Sequence, residues 1–372
     1  MELATLVGRL SAALRGGPPV VIAADRLGAP TELPEGTALA VPTSGSTGPP
    51  RWAALSAAAV TASARISAER LGGPGSWLLA LPTTGIAGLN VVARALLAGT
   101  ALETLPPGRF TPEAFARAAA ALPPGPAFVS LVPTQLGRLL ETGAVGIVRL
   151  GRFDAVLVGG GRLDANLRQR AEAAGARVVE TYGMAETCGG CVYDGVPLAG
   201  VAARLSNGGL VLLGGPTLAL GYAAGAPERF VEERGRRWFT SSDLGRWAAD
   251  GRLEILGRAD NAITTGGQTI AAEAVEAVLR ELPGVGDALV VGLPDEVWGE
   301  AVTALITPAG PGAPPIDQLR AHVKARLGPA HAPRRWAVVA ALAELGPGKP
   351  DRVQGRLLAA RLTTDQAARR LL

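Results

Sequence analysis

The chain has 372 residues, 36 of them basic and 32 acidic, for a net charge of +4. It holds two histidines, His322 and His331, and two cysteines, Cys188 and Cys191. These counts exclude a disulfide scaffold and a His-rich metal site, and leave little for a Ser-His-Asp mechanism.

The first fifteen residues read as an amphipathic surface helix, with Leu3, Leu6, Leu10 and Leu14 at helical spacing. Glu2 and the broken apolar run argue against a signal peptide, and no segment reaches the ~18 apolar residues of a membrane span. The expectation is a cytoplasmic protein. Strands are expected at 37–42, 76–81, 127–132, 153–158 and 176–181. Helices are expected at 56–71, 88–97, 112–122, 133–140 and 163–174. Alternation at this spacing argues for a parallel sheet covered by helices, with ligands at the carboxyl ends of the strands. From 189 to 257 short strands and turns indicate a small β region. Helices at 271–282, 316–327 and 353–362, with strands at 288–293, 301–307 and 336–341, form a compact α+β unit. The fold class is therefore α/β plus α+β. The expected domains are 1–259 and 260–372, joined at Arg258-Ala259-Asp260-Asn261.

Four segments carry chemistry. Thr43, Ser44, Gly45, Ser46, Thr47, Gly48 and, after two prolines, Arg51 follow a buried strand. Backbone N–H groups of such a turn form an anion nest, and the hydroxyls add donors suited to a polyphosphate. The spacing is not that of a Walker A loop. Tyr182-Gly183-Met184-Ala185-Glu186-Thr187 follows another strand; its ring can stack on a base, and Glu186 can hold Mg²⁺ against phosphates. Thr240-Ser241-Ser242-Asp243 offers a carboxylate to a ribose diol. Gly346-Pro347-Gly348-Lys349-Pro350-Asp351-Arg352 presents one of only two lysines, the other being Lys324, against 34 arginines. The basic residues are otherwise scattered singly, which argues against a nucleic-acid partner. Taken singly, the last three segments read as turns.

Taken together, in this order, they resemble the adenylate-forming superfamily of acyl-CoA synthetases, peptide-synthetase adenylation domains and luciferases. Gly257-Arg258-Ala259-Asp260 is similar to its hinge, and Gly266-Gly267-Gln268-Thr269-Ile270 to the loop after it. Segments 72–80, 130–136 and 158–161, and above all Thr181–Pro197, resemble the short actinobacterial o-succinylbenzoate–CoA ligase family of menaquinone biosynthesis. The resemblance implies a trimmed N-terminal domain and a small mobile C-terminal domain turning at Asp260. It implies a carboxylate, ATP, Mg²⁺ and CoA as reactants, with an acyl-adenylate between two half-reactions. Lys349 and Glu186 would be catalytic, and Glu186 would hold the metal. Thr43 to Gly48, Arg51 and Thr187 would bind phosphate. Gly160, Gly161 and Tyr182 would bind adenine, and Asp243 and Arg258 the ribose. Thr84, Gly85, Ser130, Thr134, Gln135 and Gly267 would line the acyl and CoA pocket.

Four residues depart from the pattern: Arg51 for lysine, Ala185 for a hydroxyl residue, Ser242, and Gly85 where these ligases usually carry histidine. A related ligase for another aromatic or keto acid therefore stays open, as does a nucleotide-binding relative without turnover. The oligomeric state stays open too, a homodimer included. Cys188-Gly189-Gly190-Cys191 is a C-x-x-C without a second pair, which reads as small residues lining a tunnel rather than as zinc ligands. His322 and His331 read as surface residues.

Overall fold

Strands such as Ser76–Leu79 and Ala155–Val158 are buried at every position, as strands covered on both faces must be. Side chains alternate across a sheet, so each strand feeds two cores. Trp77, Leu79 and Leu157 enter one cluster with helices Ala57–Leu71 and Ile86–Ala98. Leu78, Ala80, Val156 and Val158 enter another with helices Pro112–Ala121, Pro133–Glu141 and Ala165–Ala173. The computed structural model describes residues 1–23, 29–30, 32–43, 51–106, 108–141, 150–223, 229–310, 312–346 and 349–369, with backbone alone at 344–346, 349 and 363–369.

These strands belong to a seven-stranded sheet. Its order is Val196–Pro197, Gly189–Tyr193, Val178–Met184, Ala155–Val158, Ala127–Leu131, Ser76–Leu79 and Leu102–Thr104. The last five are parallel, as the alternation implies, and the first two add antiparallel. A separate four-stranded sheet takes Val20–Val21, Thr37–Pro42, Trp52–Ser56 and Gly221–Tyr222. Here the sequence expectation was incomplete. Trp52–Ser56 is a strand, antiparallel to Thr37–Pro42, so the Gly/Ser/Thr segment joins two strands rather than a strand and a helix. Helix Ala57–Leu71 starts at Ser56, whose hydroxyl accepts from Ala59 N at 3.1 Å, and ends at left-handed Gly72. It packs against both sheets.

The chain divides into two compact units. One comprises Met1–Arg204, Leu212–Ser241 and Ala249–Arg252; the other comprises Leu205–Val211, Ser242–Ala248 and Leu253–Leu372. The second is built on Val285–Asp295 and Gly299–Pro308, a long antiparallel pair joined by Ile263–Thr265, Gln268–Ile270 and a parallel Arg335–Val338. Strand Leu253–Arg258 goes with this unit, since it pairs with 243–247 and its Gly257 lies against Glu273 of helix Ala272–Arg280. His322 pairs with Glu281 at 3.2 Å. His331 is half-buried, not a surface residue, and burial lowers its pKa, with Arg246 adding to the effect.

Both cysteines are 0% exposed, so they line no open tunnel. Cys188 is left-handed (φ 51°), and its carbonyl accepts from Ser63 Oγ at 2.9 Å and Asn90 Nδ2 at 2.7 Å. Burial pushes each thiol up to about 12. The native protein should therefore resist iodoacetamide at about pH 8 and take up two labels once unfolded, read by mass spectrometry. Labelling of the native chain would contradict the packing. Gly88 gives a second prediction. A Cβ there would overlap the Pro82 carbonyl oxygen and stand 2.9 Å from Leu81 O. Gly88→Ala should cost about 1–3 kcal/mol, seen as a lower thermal midpoint.

Candidate active site

Strand Thr37–Pro42 and strand Trp52–Ser56 meet at a loop whose base is closed by Thr43 N donating to Arg51 O at 2.7 Å. Ser44, Gly45, Ser46, Thr47 and Gly48 lie outside the described residues. Thr43 Oγ1 is buried and has no hydrogen-bond partner among the described residues. At the far side of the loop, the Arg51 guanidinium stands 5.1 Å from the centroid of the Tyr222 ring. The Tyr222 hydroxyl donates to Glu186 Oε1 at 2.7 Å. Glu186 is 7% exposed, and its backbone carbonyl accepts from Ala219 N at 2.8 Å. Burial raises the Tyr222 pKa, and the Glu186 carboxylate raises it further, so the phenol stays a donor. The first unit thus brings Arg51 and Glu186 together through a tyrosine that the sequence reading did not select.

The neighbouring residues follow the strand ends. Tyr182 is half-buried on Val178–Met184, opposite Val192. Gly160 is left-handed (φ 74°) after Ala155–Val158, and Gly161 lies against Pro133. Thr187 is fully buried; its hydroxyl accepts from Met184 N at 3.0 Å and lies 2.9 Å from Gly189 O, so it closes the turn at 184–189. Ser130 is half-buried at the end of its strand, and Thr134 is exposed. Gln135 joins two strand ends, donating to Ala80 O at 2.9 Å and accepting from Val132 N at 3.0 Å. Thr84 is exposed, and Gly85 caps helix Ile86–Ala98 with φ −124° and open space where a Cβ would sit.

In the second unit, Asp243 lies directly across the sheet from Arg258. Arg258 grips Asp260 with two bonds of 2.8 Å, and this bidentate contact raises the arginine's pKa. Gly266 and Gly267, both with positive φ (55° and 77°), make the two-residue turn between Ile263–Thr265 and Gln268–Ile270. Lys349 opens the short strand Lys349–Pro350, paired with Glu344–Gly346.

Arg94, which the sequence reading also did not select, lies apart from these residues, near the start of strand Ser76–Leu79. It is the only charged residue of helix Ile86–Ala98, and that was its signal. It is 7% exposed and lines a cavity of about 270 Å³ with Trp77, Phe128 and Thr61. Its guanidinium sits 5.0 Å from the Trp77 ring centroid and donates to the Tyr193 hydroxyl at 3.1 Å. Among the described residues its Nε has no hydrogen-bond partner and no carboxylate pairs with it, so Tyr193 and the Trp77 ring are its partners.

Comparison with known proteins fits this geometry. The AMP-binding enzyme family matches residues 11–222, and the AMP-binding enzyme C-terminal domain matches 274–349. A probable 2-succinylbenzoate–CoA ligase of Mycobacterium tuberculosis is 46% identical over 327 residues, covering 86% of this chain and 84% of that protein. The 2-succinylbenzoate–CoA ligase of Salmonella typhimurium is 33% identical over 71% of this chain and 56% of its own length. Among solved structures, the o-succinylbenzoate CoA synthetase of Bacillus subtilis, in complex with its acyl-adenylate intermediate, gives a TM-score of 0.72 at 26% identity, covering 89% of this chain and 72% of that one. An amide bond synthetase of Marinactinospora thermotolerans gives 0.74 at 28% identity, covering 95% and 77%. The fold is that of the adenylate-forming enzymes, and the chain belongs to the AMP-binding enzyme family.

Proposed function

We propose that this enzyme is an ATP-dependent acid–CoA ligase that converts 2-succinylbenzoate to its CoA thioester, a step of menaquinone biosynthesis. The names of its relatives support the class of reaction. The single observation that carries the acid is the 46% identity to a probable 2-succinylbenzoate–CoA ligase over 86% of this chain and 84% of that protein.

In the first half-reaction a carboxylate oxygen attacks the α-phosphate of ATP, forming an acyl-adenylate and releasing pyrophosphate. In the second, the CoA thiol attacks the acyl carbonyl and AMP leaves. The first step gathers negative charges, and Lys349, Arg51 and the Thr43–Gly48 turn offset them. Tyr182 stacks on adenine beside Gly160 and Gly161, and Asp243 and Arg258 hold the ribose. Among the described residues no cluster of three or more His, Cys, Asp or Glu could hold a metal. One carboxylate suffices for Mg²⁺, which takes its other ligands from substrate phosphates and water, and Glu186, with one oxygen fixed by Tyr222, fits that need. Mg²⁺ bound there would supply charge neutralisation at the phosphates. Residues 260–372 turn about Asp260 between the half-reactions. A cytoplasmic enzyme of free small molecules, as a monomer or homodimer and without a nucleic-acid partner, goes with this reading.

Pyrophosphate release across a panel of acids tests the substrate. Turnover of another aromatic or keto acid, with none of 2-succinylbenzoate, would overturn the assignment.

Gly85 favours a second reading, a ligase for a different acid. Its backbone and surroundings accept a side chain, so glycine there is not dictated by the fold. Gly85→His should keep the thermal midpoint and change kcat/KM for the acid or for CoA; identical kinetics in both forms would make the position irrelevant to specificity.

A further inference from the structure

Lys349 needs an anchor, because a cation at the tip of a short hairpin neutralises a phosphoryl centre only where its backbone is held. The hairpin base is closed by Asp351, whose N–H donates to Ala343 O at 2.7 Å. The same residue caps helix Arg352–Arg369, its Oδ1 accepting from Val353 N at 3.1 Å and Gln354 N at 3.0 Å. One residue on, and three from Lys349, Arg352 turns into the unit. It donates to Val290 O at 3.0 Å and to Glu276 Oε2 at 3.0 Å, and reaches Glu276 Oε1 at 2.8 Å.

Glu276 is 3% exposed, and its Oε1 accepts from Val290 N at 2.9 Å. Strand Val285–Asp295 is the edge of its sheet. The ion pair therefore takes both backbone groups of one edge residue, as a neighbouring strand would. Arg352 also meets Glu273 Oε1 at 3.2 Å, and that oxygen accepts from Asn261 Nδ2 at 2.6 Å. Asn261 ends the turn Ala259–Asn261, the segment read as the hinge. Glu273 Oε2 is buried against Gly257 and has no hydrogen-bond partner among the described residues. A continuous chain thus runs within the second unit from the hinge turn, through Asn261, Glu273, Arg352 and Glu276, to the base of the Lys349 hairpin.

We propose that the pair of buried Glu276 and half-buried Arg352 is the positioning device for Lys349, registering its hairpin on the sheet edge and, through Glu273, to the hinge turn. The inference rests on the reading of Lys349 as the adenylation cation. Arg352 and Glu276 touch no substrate; they act through the lysine's backbone. Their effect therefore falls on the half-reaction that uses Lys349 and spares the other.

The full-length enzyme tests this in two assays: acid-dependent ATP–pyrophosphate exchange, and thioester formation from supplied acyl-adenylate and CoA. Three variants are compared with the parent: Lys349→Ala, Arg352→Lys, and the double variant Glu276→Leu/Arg352→Met. The double variant replaces the pair with apolar groups that keep the unit packed. Exchange should fall about 10²-fold in all three, the scale of a displacement near 1 Å at a reacting centre. KM for ATP and thioester formation should stay near parental in the two pair variants, while the thermal midpoint of the double variant falls by the loss of the Val290 partners. If Lys349→Ala keeps its exchange, the reading of Lys349 fails and this inference with it. If Lys349→Ala loses exchange while both pair variants keep it, the positioning role alone is overturned. Equal loss in both assays, tracking the thermal midpoint, likewise reduces the pair to a structural brace.

Discussion

A carboxylate taken out of water needs a donor, and the hydrogen bond from Tyr222 to Glu186 meets that need. It also fixes much of the first unit. Tyr222 lies in the four-stranded sheet, while Glu186 follows a strand of the seven-stranded one. The bond and the Ala219–Glu186 backbone contact tie the two sheets at one point. Arg51 over the Tyr222 ring brings the end of the Thr43–Arg51 loop to that point. A cation, a phenol and a carboxylate thus stand in sequence.

How much of this was legible follows from the range of each interaction. The parallel strands were legible because both their faces are covered, so their apolar runs are unbroken and their punctuation is glycine. Strand Trp52–Ser56 was not: its apolar run merges into the alanines of the helix that follows, and only pairing with Thr37–Pro42 makes it extended. Glu186 stood out through its local motif. Tyr222, 36 positions further on, carries no such motif, and its role exists only once the two sheets are assembled. Arg94 is intermediate. A lone charge in an apolar helix is visible in sequence, but its partners, the Trp77 ring and the Tyr193 hydroxyl, are a property of the folded neighbourhood.

The scarcity of lysine takes on a structural meaning beside this. Arginines serve as braces throughout the second unit: Arg258 on Asp260, Arg280 on Asp287, Arg335 on Asp295, and Arg352 on Glu276. Each uses the planar fork to hold a carboxylate or several groups at once, which an ammonium does less well. A chain that fills its bracing positions with arginine leaves lysine for sites where a compact charge on a flexible stem matters. The proposed role of Lys349, three residues from a braced arginine, would use such a charge.

The glycines around the candidate site separate into two kinds, and the difference bears on substrate choice. Gly88 is required by the fold, since a methyl group would strike the Pro82 carbonyl; Gly160 is required by its left-handed backbone. Gly85, three residues from Gly88, is under neither constraint: its φ of −124° suits any residue, and the space beside it is open. A glycine that the backbone does not need is free to be set by what binds there. The two ends of helix Ile86–Ala98 therefore differ: the open room at Gly85 lies where strand Ser76–Leu79 has ended, while Arg94, stacked on Trp77 and donating to Tyr193 near the start of that strand, has its partners within the protein, so a change of acid is expected to act through Gly85 rather than through Arg94.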